Sequence, residues 1–398
     1  MLATLVAFSG AALAEDVKNF PPATPGGVAL QLSSPNESTA TPGQSVLSPL
    51  GNSISPASVS NIHLAQAVPS TVTPARPSQV ITNPAVPSPT QMVAPQPPRS
   101  PQVASPYVVP QPRPAVLYGG NSVTITLGNT FRFAIVGATR PAKEDDIANY
   151  PMAIINTIWN DIETSSPHPD FAISAGTYAF SSDGAKATES QQLSMYLAAR
   201  GRFTGQFYPA MGNHECTGQL TSNCGPGNPD GTTSIYTAFM SLMLYPLRIT
   251  LPYYEINLVA QDGSWTAKIV VMAANAWNSA QATWLDQTLA QPTTYTFVVR
   301  TESAFESIAP GFTPSEAIIN RHPFTLEING QPYTYAYYPT QREVIVGNGG
   351  APLSAPVDYG FAILERLASG VLQFSEYDYQ TKALNTRLRI NADGSPAP

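Results

Sequence analysis

Proline divides this chain in two. The sequence holds 40 prolines in 398 residues, and about half of them precede residue 115. A proline ring fixes φ, removes a backbone donor and is excluded from helix interiors and central strands. Residues 15–115 contain runs such as VPSTVTPARPSQV and APQPPRSPQVASPYVVPQPRP, dominated by Pro, Ser, Thr, Val, Ala and Gln. Too few large apolar groups are present to offset the entropy of ordering such a segment. It therefore reads as a disordered, Pro/Ser/Thr-rich stalk. The core must come from residues 116–398, which suffice for one large domain.

Residues 2–14 (LATLVAFSGAALA) form a short apolar run ending in an A-x-A-like pattern before Glu15. Residues 1–14 thus read as a signal peptide, and the chain as exported: secreted, periplasmic or at the cell surface. No Lys or Arg precedes the run, so a plain apolar N-terminus is the alternative. The run is too short to span a bilayer, and no later stretch is long enough without polar interruption. The net charge of -7 and pI near 5.1 argue against nucleic acid or an anionic membrane as partner. Charged residues make up only 11% of the chain, so Ser, Thr, Asn and Gln must cover much of the surface, as suits an extracellular protein. The two cysteines, Cys216 and Cys224, lie in the short polar run CTGQLTSNC. In an exported chain they read as a local disulfide pinning a loop. The spacing and the lack of a second pair make metal ligation the weaker alternative.

Within 116–398 the hydrophobic pattern alternates between strands and helices. SVTITLG and FRFAIVG read as strands, the second buried. A helix is expected over Asp145–Glu163 with a break or kink at Pro151, and the acidic group Glu144, Asp145 and Asp146 should favour its positive end. DFAISAG and FYPAMGN read as strands separated by a helix over Glu189–Ala199. Another helix is expected over Thr232–Leu244. A hairpin turns at Asp262-Gly263. A helix over Asn278–Leu289 places Ala282, Leu285 and Leu289 on one face. YTFVVR, FTLEING, YTYAYYP, REVIVGN and FAILERLASGVLQFSEYD add strands. The alternation suggests two packed sheets with helices outside.

After the FYPAM run comes Gly212-Asn213-His214-Glu215. Around it, in order, stand strand-GA, strand-AGTY, NAWNSAQATWL, VVRTE, INGQPYTY and GNGGAPL. This ordered set, over roughly 130–355, resembles the calcineurin-like metallophosphoesterase family, including purple acid phosphatase relatives. The resemblance implies a four-layer αββα sandwich of that type. It also implies a site at the C-terminal strand ends, where two metals activate hydroxide against phosphorus. Two cations in proximity require several anionic or imidazole ligands, including a bridging carboxylate, to offset their repulsion.

Carried over residue by residue, the resemblance implies that this set is broken. FRFAIVGAT ends in Gly137-Ala138 where the family carries Gly-Asp, with the Asp on the first metal. Arg140 stands at a loop position that is often His. Thr177 replaces the bridging Asp, while Tyr178 is retained. Asn213 and His214 are retained. Thr301 stands for a ligand His, and Gln331 and Tyr333 for two more. The former metal-ligand positions are thus Ala138, Thr177, Thr301, Gln331 and Tyr333. Asn213, Tyr178 and Arg140 remain as pocket residues, and His214 is a vestigial catalytic imidazole, read as a hydrogen-bonded relic ordering the loop with Glu215. Arg140 and Arg300 flank the former metal zone, where a guanidinium fork could meet an anion.

His168 and His322 sit near strand starts, on the wrong side for this cluster, and His63 lies in the stalk. Trp277 and Trp284 read as packing residues. Asn348-Gly349-Gly350-Ala351 reads as a tight turn, without the Lys-Ser/Thr of a phosphate loop.

The leading expectation is a non-catalytic, exported pseudo-metallophosphoesterase that binds a protein, glycan or envelope component, or serves a surface assembly. No cofactor is expected. The second expectation is a metal-dependent phosphoesterase with an altered site, using a dinuclear centre of Fe, Mn or Zn. The third is a structural surface domain on the Pro-rich stalk.

Overall fold

The structure is a computed structural model that describes residues 115–119, 121–182, 187–304 and 308–398. The signal-peptide reading, His63 and the stalk reading up to residue 114 fall outside the described residues; Ala115, assigned to the stalk, is the first residue of a strand.

Two sheets carry the fold. The first has eight strands, in the order β1 (Ala115–Gly119), β2 (Ser122–Leu127), β6 (Tyr254–Ala260), β7 (Thr266–Val271), β8 (Tyr295–Arg300), β9 (Leu326–Asn329), β11 (Glu343–Val346) and β10 (Tyr335–Tyr338). The second has six, in the order β14 (Leu384–Ile390), β13 (Leu372–Asp378), β12 (Gly360–Arg366), β3 (Arg132–Val136), β4 (Phe171–Ser174) and β5 (Gln206–Pro209). Each sheet contains a parallel run with helical crossovers. β3, β4 and β5 are joined through α1 (Met152–Glu163) and α2 (Thr188–Arg200). β7, β8 and β9 are joined through α4 (Ser279–Ala290) and α5 (Phe312–Ile319).

Strand periodicity sorts the layers. On β8, Tyr295, Phe297 and Val299 enter the main core between the sheets. Val298, on the opposite face, packs with Val270 of β7, Leu285 and Leu289 of α4, and Ile318 and Ile319 of α5. The apolar face expected on Asn278–Leu289 is therefore the one that meets the sheet. Side chains of α1 and α2 (Ile155, Ile158, Trp159, Leu193, Tyr196) join the main core from the other side. The mixed α/β architecture of two sheets with helices outside is thus present.

Three local expectations are corrected. The helix expected over Asp145–Glu163 begins only at Met152, with no acidic residue in its first turn. Asp145 takes a left-handed φ of 57° and its carboxylate accepts from the Ser182 amide (3.0 Å) and hydroxyl (2.8 Å). Asp146 accepts from the Asn149 amide at 2.9 Å. These carboxylates tie loops instead of favouring a helix end. The helix over Thr232–Leu244 is an α-turn pair, α3 (Ser234–Phe239), followed by a wider π segment over Met240–Leu244. Thr233 caps α3, accepting from the Tyr236 amide at 3.0 Å. Finally, α5 and β14 have no counterpart in the sequence reading. Pro314 in the first turn of α5 masks it, and β14 is a mostly exposed edge strand with a polar LNTRLR run.

Candidate functional site

The C-terminal ends of the parallel strands meet at near backbone contact. A Cβ on Gly137, after β3, would lie 2.1 Å from the Val346 carbonyl of β11. One on Gly330, after β9, would lie 2.1 Å from the Ala175 carbonyl after β4. Only glycine permits this approach. It brings together loops from both sheets, and with them most of the residues singled out in the sequence.

The Ala138 amide donates to the Gly176 carbonyl (3.1 Å) and the Thr139 amide to the Thr177 carbonyl (2.8 Å). Ala138 and Thr177 both adopt left-handed backbone, with φ of 53° and 63°. For a β-branched residue such as Thr this is a strained conformation, costing on the order of 1–3 kcal/mol. Thr301, after β8, donates from Oγ1 to the Ala175 carbonyl at 2.9 Å. Its side chain fills the space a Cβ would need at Gly176 or Gly212.

Glu215 fixes the strained turn. Its buried carboxylate accepts four backbone N–H groups: Thr177 (3.0 Å), Tyr178 (2.7 Å), Ala179 (3.4 Å) and Gly212 (2.9 Å). Burial pushes its pKa up, and these donors oppose that push. The loops after β4 and β5 are thereby joined through one side chain. The sequence carried a signal for this in the acidic residue three positions after Gly212, within a short helical turn (Asn213–Glu215).

A chain of side-chain hydrogen bonds crosses the mouth. Arg140 donates from Nε to Tyr333 Oη at 3.0 Å. Gln331 Nε2 reaches Tyr333 Oη at 3.4 Å and donates to Asn213 Oδ1 at 3.0 Å. Asn213 Nδ2 donates to the Gly218 carbonyl at 2.9 Å. The Arg140 guanidinium lies 4.8 Å from the Phe180 ring centre and 4.6 Å from that of Tyr333, a cation–π sandwich.

His214 is buried beside this network without the hydrogen bonding expected of it. Its Nδ1 has no partner among the described residues, and its ring meets Phe180 edge-on at 4.8 Å. Burial, and then the Arg140 charge, push its pKa down to about 3, so the imidazole is neutral. The loop ordering expected of the pair thus falls to Glu215.

Two residues lie elsewhere than expected. Tyr178 is fully buried in the core, against Tyr196 (4.8 Å) and Phe239 (6.1 Å), not on a pocket wall. Its hydroxyl lies 2.9 Å from the Ala210 carbonyl and 3.2 Å from that of Ser174. Burial drives its pKa far above the usual phenol value, which opposes a phenolate ligand. Arg300 points to the outer face of its sheet. There it pairs with Glu316 of α5 (2.6 Å) and Glu327 of β9 (2.7 Å) and lies over the Phe312 ring. It does not flank the strand-end cluster.

Cys216 and Cys224 form a disulfide with their Cα atoms 5.6 Å apart. Both are fully buried. The loop is tied further by Asn275, whose carbonyl accepts the Cys224 amide (2.9 Å) and whose Nδ2 donates to the Leu220 and Ser222 carbonyls. Trp277 is bonded through its backbone to Asn223. His168 and His322, near strand starts, pair with Glu163 (3.1 Å) and Asp286 (2.7 Å). Asn348 donates to Glu376 and to the Asp358 carbonyl.

These residues do not fit a dinuclear centre. Ala138 has no donor atom. Thr177 and Thr301 offer neutral hydroxyls, and that of Thr301 is committed to a carbonyl. Gln331 and Asn213 are bonded to each other. Among the described residues no group of three or more His, Cys, Asp or Glu side chains is placed to hold a metal ion. Two grooves among the described residues lie away from these strand ends. One of about 580 Å³ runs between α2 and α3, lined by Ser194, Thr233 and Thr237 among others. The second, of about 370 Å³, is bordered by Thr296, His322 and Arg342. No helix among the described residues is long and apolar enough to cross a membrane.

No protein-family model and no curated protein matches the chain. Among solved structures, the chain is similar to a purple acid phosphatase from yellow lupin (Lupinus luteus) seeds. That match has a TM-score of 0.46 and 14% identity, and covers 69% of this chain and 59% of the lupin chain. It thus spans less than two thirds of the lupin protein. A dimetal phosphatase from Danio rerio is also similar, with a TM-score of 0.44 and 9% identity over 66% of this chain and 99% of that one.

Proposed function

We propose that this chain is a non-catalytic, exported pseudo-metallophosphoesterase whose role is binding or accessory, with a protein, glycan or envelope component as partner. One observation carries the loss of catalysis. At the strand ends, polar side chains are bonded to one another in the sequence Arg140–Tyr333–Gln331–Asn213, and Asn213 ends the series on the Gly218 carbonyl. A dinuclear centre needs anionic and imidazole ligands to offset cation repulsion. Here one arginine adds positive charge, and Ala138, Thr177, Thr301 and Gln331 add none of the opposite sign. The order of sequence motifs supports a phosphoesterase-like ancestry for the frame, and the exported reading rests on residues 1–14.

Hydrolysis of phosphomonoesters and phosphodiesters by the purified chain, with His214→Ala as control, tests the reading. No turnover above that of the variant is expected. Sustained hydrolysis that falls by at least ~10²-fold in His214→Ala, the scale of a positioned acid–base group, would overturn it.

A further inference from the structure

Strands β9 and β11 are parallel neighbours, and a side-chain contact between them is half made. Asn329 on β9 donates from Nδ2 to Glu343 Oε1 on β11. The remaining amide oxygen, Asn329 Oδ1, and the remaining carboxyl oxygen, Glu343 Oε2, are both buried and both lack a partner. Asn329 is 0% exposed and Glu343 2% exposed. An ionised carboxylate offers only acceptors, so these two oxygens cannot satisfy each other. A proton on Oε2 supplies the one donor that is missing.

We propose that Glu343 is held in the folded chain as a neutral carboxylic acid, closed into a two-bond ring with Asn329, and that this proton latches the segment after β8 onto the β9–β11 pair.

The latch has a visible far end. Glu343 Oε1 also accepts the Ala304 amide at 3.2 Å, which anchors the segment leaving β8. The same segment holds the strand-end cluster, because the Thr301 carbonyl accepts the amides of Gly330 (3.0 Å) and Gln331 (2.8 Å). The surroundings disfavour a further negative charge. Glu327 is directly opposite Glu343 in the strand register. Glu316 faces the group from α5. Arg300, which also faces Glu343, is shared between Glu316 and Glu327. Glu302 bears on the same guanidinium from the segment after β8, Arg342 faces Glu327, and Tyr338 faces Glu343. Burial raises the Glu343 pKa, against its bonds to Asn329 and Ala304 and the Arg300 charge, with Glu316 adding to the rise. Loss of the proton leaves two buried acceptors without a donor and adds charge to a group in which carboxyls outnumber the guanidinium groups of Arg300 and Arg342.

Hydrogen exchange of the full chain, corrected for intrinsic exchange rates, tests the proposal at the Ala304, Gly330 and Gln331 amides. Between about pH 5.5 and about pH 8.5 the opening equilibrium is expected to rise by up to about tenfold per pH unit wherever one proton is released on opening. Glu302 is the other buried acid of this segment and holds a proton in the same range, so the variants are compared in a Glu302→Gln background. The amides of α1 should rise less, by no more than the loss of global stability over that range. Glu343→Gln carries the missing donor permanently and should remove the excess rise at the three amides. Glu376→Gln, a buried acid of the other sheet, should leave that excess in place. Equal wild-type opening at both pH values overturns the proposal whether or not a variant folds. So does an excess that survives Glu343→Gln, or one that Glu376→Gln removes.

Discussion

Replacing Glu215 by alanine removes the acceptor of four buried backbone N–H groups at once, three of them within 3.0 Å. A buried donor left without a partner costs about 1–3 kcal/mol. Simple summation would exceed what most domains possess, since native stability is only about 5–15 kcal/mol. Two effects reduce the sum. Water can enter the space left behind, and the left-handed turn at Thr177 can relax, returning some of its strain. A net loss of about 4 kcal/mol or more is the expected outcome. Glu215→Gln keeps one acceptor oxygen but turns an amide group towards backbone donors, and should cost about 2–4 kcal/mol. His214→Ala removes an edge contact with Phe180 and a nitrogen without a partner, and should cost only about 1 kcal/mol. Urea unfolding of the three variants, read from the shift in midpoint at constant slope, measures all three. The reasoning fails if Glu215→Ala lies within about 1 kcal/mol of wild type, or if His214→Ala is the more damaging change.

Removing the disulfide by Cys216→Ala with Cys224→Ala should cost about 2–3 kcal/mol from loop entropy, visible as a lower thermal midpoint; an unchanged midpoint would mean that the Asn275 bonds suffice to hold the loop. Thr301→His should destabilise by about 1–3 kcal/mol, because the larger ring must enter the space beside Gly176 and Gly212; unfolding midpoints equal to wild type would show the site roomier than described. Stability should also depend on pH. Burial first raises Glu302 and Glu376 from 4.5 to about 7, so the folded chain holds protons that the unfolded chain has released. Their contribution is fully present below the unfolded value and declines as pH rises through that window, by about 1.4 kcal/mol per unit for each group at most, then levels off. Denaturant midpoints across that range check the sign, and a rise in stability from acid to neutral pH traceable to these two residues would contradict it.

The sequence made the scaffold legible where periodicity and turns agree. The Asp262-Gly263 hairpin, the capped helix after Asn278 and the parallel strands Phe171–Ser174 and Tyr295–Arg300 each combine a clear pattern with a clear boundary. The strand-end positions were readable because the motifs keep their order along the chain. What sequence could not supply was direction. Tyr178 follows a turn and reads equally well as facing a pocket or the core; the left-handed Thr177 before it turns the ring inward. Arg300 and Thr301 are adjacent, yet strand alternation sends one to the outer helix layer and the other to the cluster. Glu215 looked like an accessory to His214. Only the convergence of two loops reveals four backbone donors aimed at it. Likewise the acidic group before α1 has the composition of a helix start, but Pro151 and the loop bonds of Asp145 and Asp146 move the start to Met152.

At the strand ends, Gln331, Asn213 and Tyr333 are engaged in hydrogen bonds, with Arg140 beside them. The decisive measurement for the proposed function is the metal content of the purified chain after exposure to iron, manganese and zinc, followed by desalting. Tightly held metal far below one ion per chain is the expected result. One or two retained ions per chain, lost on mutation of Asn213 or His214, would contradict it and restore a metal-dependent phosphoesterase as the reading of this fold.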